Sequence, residues 1–177
     1  MHNVLGGIGN TPLVELKKVV PPGSARVIAK LEWANPTGSM KDRMAKVAIE
    51  RAEADGRLAP EGTVVEYTAG TTGISLAFVC AAKGHPIEVV FSDAFSDEKR
   101  RTMKAFGARV TDIPSEGRGI NAALIKAMIA KANEISTRPV TGSATSSTTR
   151  TPAMGTCRSA RRCGSRRRDT WMRSCTR

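Results

Sequence analysis

From Gly62 onward the chain alternates short β-branched runs with helical runs, and only a few small or polar residues join each pair. "GTVVEYT", "PIEVVFS" and "ARVTDIP" read as strands, and "ISLAFVCAAKG", "SDEKRRTMKAFG" and "INAALIKAMIAKANEIS" read as helices. This alternation commits a chain to an α/β fold with a mostly parallel, twisted sheet and flanking helices, because parallel neighbours need a crossover connection. Gly84 is placed to stop the first of these helices and Ser96 to cap the second. Ala123, Ile125, Met128 and Ile129 fall on overlapping faces of the third.

Upstream, "ARVIAKLEW" (25–33) reads as a strand. "MKDRMAKVAIERAEADG" reads as a helix, with Met44, Val47, Ala48 and Ala52 at core spacing and Gly56 as its stop. Residues 35–39, "NPTGS", are then a strand-to-helix turn. Open α/β sheets bind ligands beyond the carboxyl ends of their strands, where such turns lie. Two of them, "NPTGS" and "TAGTTG" (68–73), are rich in Gly, Ser and Thr.

Composition allows a globular core, since 177 residues with 40% hydrophobic content are long and apolar enough for one. The net charge of +12 would point to a polyanion partner if it were evenly spread. It is not: residues 1–139 carry 19 Lys and Arg against 15 acids, and residues 140–177 carry nine Arg against Asp169 alone. Three of the four cysteines, Cys157, Cys163 and Cys175, share that tail, and the paired short spacings of a zinc site are missing. Cys80 sits on an apolar helix and reads as core; His2 and His85 are isolated, and His85 before Pro86 reads as an ordinary loop residue. No apolar run reaches the roughly 20 residues of a membrane span, and the start "MHNVLGGIGN" lacks a signal segment, so a cytoplasmic location is expected.

The two turns carry the chemistry. In "NPTGSMKDR", Lys41 stands at a helix amino end, where free N–H groups and the dipole attract anions and disfavour an ammonium. That makes Lys41 a candidate Schiff-base amine, although this stretch alone fits a solvated surface lysine better. "TAGTTG" likewise opens a helix, and its amides and Thr hydroxyls can hold a carboxylate or simply cap a close-packed turn.

Together "IGNTPLVEL" (8–16), "NPTGSMKDR" (35–43) and "TAGTTGISLA" (68–77) resemble, in order and separation, the pyridoxal-phosphate enzymes of the cysteine synthase and cystathionine β-synthase family. "FSDAFSDEKRRTMKAFGARV" (91–110) is similar to the family's next strand and helix, and the resemblance spans residues 3–139. It implies a fold-type-II, tryptophan synthase β-like architecture with an incomplete second domain. It also implies the cofactor pyridoxal 5'-phosphate and β-replacement chemistry: L-cysteine from an activated serine such as O-acetylserine and sulfide. By the same resemblance, Lys41 matches the lysine that holds the cofactor and takes the substrate α-proton. Thr68, Ala69, Gly70 and Thr72 match the loop that grips the substrate carboxylate, with Ala69 in place of a Ser. Thr71 stands where the family has an Asn that bonds the cofactor's ring hydroxyl. An amino-acid substrate and, in intact relatives, a homodimer are further implications.

After Pro139 the pattern stops, and residues 140–177 read as a non-native, disordered tail. The genetic code offers an explanation. Written as GCG ACC AGC TCA ACA ACC CGG ACG CC, "ATSSTTRTP" (144–152) read one base over gives Asp-Gln-Leu-Asn-Asn-Pro-Asp-Ala, a segment the family carries. Val140, Thr141 and Gly142 give Gly-His-Trp in that frame, and residues 169–176 give His-Val-Asp-Ala-Phe-Val-His. A frameshift near Pro139 is therefore expected, leaving a truncated and catalytically impaired enzyme with an uncovered apolar face that promotes association. Two competing readings are a non-catalytic α/β domain with an Arg-rich nucleic-acid-binding tail, and a non-catalytic partner-binding paralogue. The lack of Lys and of interleaved aromatics in the tail argues against a dedicated nucleic-acid site.

Overall fold

A computed structural model of the protein describes residues 3–137. The Arg-rich tail, the segments re-read in the shifted frame and the expected boundary at residue 139 all lie outside the described residues.

The parallel sheet has three strands, β3 (Val64–Tyr67), β4 (Ile87–Ser92) and β5 (Arg109–Ile113), in that order. Both pairings are parallel, with Val65 opposite Glu88 and Val90 opposite Thr111. All six residues of the central strand β4 are buried, as expected of a strand covered on both faces. The side-chain period of two sends alternate residues to opposite layers. Val64, Val89 and Phe91 pack with residues of α1 (Lys41–Ala54), α2 (Thr71–Lys83) and α3 (Asp97–Ala105). Val65 and Val90 pack against Leu124, Met128, Ala132 and Ile135 of α4 (Ala122–Thr137).

The helix ends follow local chemistry. Gly84 closes α2 in the left-handed conformation (φ 81°), with its N–H donated to the Cys80 carbonyl. Asn121 Oδ1 accepts from the Leu124 amide at 2.9 Å and so caps α4. Ser96 stands at the cap position of α3, but its side chain makes no capping bond; Asp97 in the first turn pairs instead with Arg100 and Arg101.

Several expectations change. "ARVIAKLEW" is a strand only over β2 (Val27–Lys30); Glu32–Ala34 is a 3-10 turn. β2 pairs antiparallel with β1 (Leu13–Leu16) and lies outside the parallel sheet. The buried face of α1 is Asp42, Ala45, Ile49 and Ala52, leaving Met44 and Val47 exposed. In α4 the buried stripe is Leu124, Met128, Ala132 and Ile135, one position away from the expected Ala123 and Ile125. Both helices are apolar on more than one face, so spacing alone does not choose which face meets the sheet.

His85 is no ordinary loop residue: it is buried, with Nδ1 3.2 Å from the Gly62 carbonyl and Nε2 2.9 Å from Glu53 Oε1. Burial pushes the Glu53 carboxyl up, but hydrogen bonds from Lys83 and His85 outweigh it and hold the group below its usual range. Cys80 is core as expected; burial, with Glu53 adding to it, pushes its thiol up to about 12. No described helix is long and apolar enough to cross a membrane.

The β1–β2 ribbon exposes Leu13, Val14, Leu16, Val27 and Ile28. Two strands with uncovered faces are marginally stable alone and invite association. Light scattering of the chain should therefore rise with concentration, and the double change Leu13→Lys and Val27→Lys should suppress that rise. Equal scattering by both forms would locate the sticky surface elsewhere.

Candidate active site

Lys41 is the first residue of α1, half-buried, and its amide donates to Ser39 Oγ at 3.1 Å. Among the described residues its ammonium has neither a carboxylate partner nor a side-chain hydrogen bond. The next residue, Asp42, is fully buried and fixes the turn that precedes it. Its carboxylate accepts from the Thr37 amide at 2.8 Å, from the Thr37 hydroxyl, and from Ser75 Oγ at 2.6 Å. Ser75 belongs to α2, so one carboxylate ties the "NPTGS" turn and the start of α1 to the neighbouring helix.

A second polar cluster holds the other end of the turn. Asn35 Oδ1 accepts from the Gly9 amide at 3.0 Å, and its Nδ2 donates to the Glu32 carbonyl at 2.7 Å and to Glu32 Oε2 at 2.9 Å. Arg43 reaches back from α1 to both Glu32 oxygens, Nε to Oε2 at 3.0 Å and Nη2 to Oε1 at 3.1 Å. Thr11 bridges the pair, accepting from Arg43 at 2.9 Å and donating to Glu32 at 2.9 Å. The Arg43 hydrogen bond dominates; against opposing desolvation, and with Thr11 and Asn35 helping, it holds the Glu32 carboxyl at about 2.

The second turn is built around Thr68, whose buried Oγ1 accepts from the Gly70 amide at 3.0 Å and the Gly73 amide at 3.2 Å. Gly70 adopts φ 134° and ψ −68°, a conformation open to glycine alone, and leads into α2. Ala69 and Thr71 are exposed and Thr72 is half-buried. The Thr71 and Thr72 amides have no acceptor among the described residues, as expected in the first turn of a helix. No acidic residue of α2 lies in that turn.

The structure thus brings the two sequence-predicted turns together through Asp42 and Ser75. A cleft of about 420 Å³ adjoins them, walled by Pro36, Thr37, Ile74, Ser96, Lys99 and Phe106 among others. Lys41 is not one of its walls, so the cleft borders the predicted lysine site and does not coincide with it. Among the described residues no cluster of three or more His, Cys, Asp or Glu side chains is placed to hold a metal.

The sequence reading missed Thr11, Glu32, Asn35, Thr37, Asp42, Arg43 and Ser75. A Ser within the apolar run "ISLAFV" and an acid followed by Arg at a helix start were the available signals.

The sequence model of the family described as "Pyridoxal-phosphate dependent enzyme" matches residues 4–157. The chain belongs to this family. A cysteine synthase of Staphylococcus aureus is 44% identical over 135 residues, covering 76% of this chain and 42% of that protein. A cystathionine beta-synthase of Saccharomyces cerevisiae is 44% identical over 117 residues, 64% of this chain and 23% of that protein. Among solved structures, O-acetyl serine sulfhydrylase isoform 3 of Entamoeba histolytica superposes with a TM-score of 0.68 at 38% identity, covering 76% of this chain and 40% of that one. The chain spans about two fifths of the length of the cysteine synthases it matches.

The residues present fit the family's cofactor: among the described residues, an amine without a protein partner stands at one helix start and unpaired amides stand at another. As a member of the pyridoxal-phosphate dependent family, the chain keeps both turns in place with buried polar bonds, and two tests follow. Asp42→Ala should lower stability by about 3 kcal/mol in urea unfolding, because Thr37 and Ser75 lose a buried charged acceptor, while Asp42→Asn should cost less. The folded Glu32 value of about 2 lies below its ordinary 4.5, so its stabilisation is complete above 4.5 and disappears as pH falls through 2. Glu32→Gln should therefore flatten the acid limb of the stability profile in that window, and an unchanged slope would remove Glu32 from the account.

Proposed function

We propose that the chain is the amino-terminal portion of a β-replacement enzyme of the cysteine synthase type. In this reading it takes an activated serine, such as O-acetylserine, and sulfide to L-cysteine. The observation that carries the reading is Lys41, an amine with no protein partner among the described residues, at the start of a helix whose turn Asp42 anchors. The similarity to named cysteine synthases supports the same assignment.

Pyridoxal phosphate, when bound, supplies an electron sink for the substrate's α-carbon. Lys41 Nζ would hold the cofactor and, once displaced by the substrate's amine, would be the free amine that takes the α-proton. The Asp42 anchor fixes the backbone from which Lys41 projects. Thr68 sets the second turn by accepting from the Gly70 and Gly73 amides. Ala69, Gly70 and Thr72 form the carboxylate grip with it, and the Thr71 and Thr72 amides at the amino end of α2, without an acceptor among the described residues, are its donors. Thr71, at the position where the family has the Asn that bonds the cofactor's ring hydroxyl, would help hold the cofactor. The remaining partner is a second copy of the chain, as the family resemblance implies.

The Arg-rich tail is the product of a shifted reading frame, which accounts for nine Arg without a Lys over 140–177. An independent read of the coding DNA across codon 139 decides this, because an intact frame there rules it out.

Incubated with pyridoxal phosphate, the purified chain should develop the visible absorbance of a lysine-linked cofactor, and Lys41→Ala should abolish it. Absorbance that survives in Lys41→Ala would move the linkage to another lysine and overturn the assignment.

A further inference from the structure

Gly70 is buried although the residues on either side of it, Ala69 and Thr71, are exposed. Its cover comes from α3. A Cβ built on Gly70 would stand 2.2 Å from Lys99 Cδ and 3.2 Å from both Lys99 Cβ and Cγ, so the lysine's methylene stem lies directly on the glycine. One helical turn later, the fully buried Met103 does the same to Gly73: a Cβ there would stand 2.6 Å from Met103 Sδ. Lys99 and Met103 are four residues apart and share one helix face. That face therefore rests on both glycines of the second turn, the two whose amides Thr68 Oγ1 accepts.

This contact explains how an unusual backbone persists. A residue held at φ 134° stays there only when its surroundings over-determine it. Thr68 fixes the turn through its hydroxyl, and the Lys99 stem packs against Gly70. The ammonium plays no visible part, since it has no carboxylate partner among the described residues.

We propose that Lys99 is a positioning residue of the carboxylate-binding turn, acting through its methylene stem and not its charge. The inference rests on the reading of that turn as a carboxylate grip. It adds that α3, which contributes none of the grip's own residues, sets the grip's geometry. Lysine suits the place because its long methylene stem can cover a glycine without its charged end taking part.

The test is amide hydrogen exchange on the full 177-residue chain, comparing Lys99→Ala and Lys99→Met with the unaltered protein. Alanine keeps the helix but removes the stem; methionine keeps an unbranched stem and removes the charge. The Gly70 and Gly73 amides should exchange about tenfold faster in Lys99→Ala and within about twofold of the original in Lys99→Met, while the Val89 and Val90 amides of β4 stay unchanged. Unaltered exchange in Lys99→Ala, or equal acceleration in both variants, overturns the proposal. A second arm adds L-serine in the presence of pyridoxal phosphate and follows the Thr71 and Thr72 amides. If Lys99→Ala loosens the turn but L-serine protects neither amide in any form, the clamp stands and the carboxylate reading falls.

Discussion

The arrangement depends on one buried carboxylate. Asp42 is wholly removed from solvent and is satisfied by two hydroxyls and a backbone amide from two different parts of the chain. A charge in that position is costly unless every acceptor site is used, so the network tolerates very few geometries. Its donors are Thr37 in the turn and Ser75 in α2, and the helix it belongs to begins one residue earlier at Lys41. The same bonds that satisfy the charge therefore fix where the lysine starts. The Glu32–Arg43–Thr11 cluster holds the other side of the turn and ties it to the residues just before β1.

A second constraint is steric. The start of α2 uses Gly70 and Gly73 because a side chain at the first would meet Lys99 of α3 and one at the second would meet both Met103 of α3 and Thr68. The parallel order β3-β4-β5 brings α3 there, since each crossover returns its helix to the layer over the sheet and places its amino end beside the preceding strand's carboxyl end. Helix packing and ligand-binding geometry are thus one property of this turn.

Much of this was legible in the chain. The strand-helix alternation from Gly62 follows from periods of two and 3.6 residues, and the short joining segments leave few alternatives. The stop at Gly84 and the core position of Cys80 have equally local causes. Other features depend on distant partners. β2 has strand-forming residues, but only its pairing with β1 makes it an antiparallel ribbon apart from the main sheet. Met44 and Val47 have the spacing of a core stripe, yet Asp42 at the base of α1 turns Ala45 and Ile49 inward and leaves those two exposed. His85 looks like a loop residue until Glu53 and the Gly62 carbonyl are placed on either side of its ring.

The sequence by itself determined the α/β class, the two small-residue turns and the lysine at a helix start, because each of these follows from local periodicity and from the chemistry of helix ends. Only the tertiary structure decided that the turns meet, that Asp42 joins them through Ser75, and that Lys99 and Met103 close over the second. Those contacts span up to 33 residues, from Asp42 to Ser75, and are fixed by crossover direction and close packing. Residue order does not encode them locally, so the roles of a buried carboxylate and a lysine stem emerge only when the fold brings their partners in.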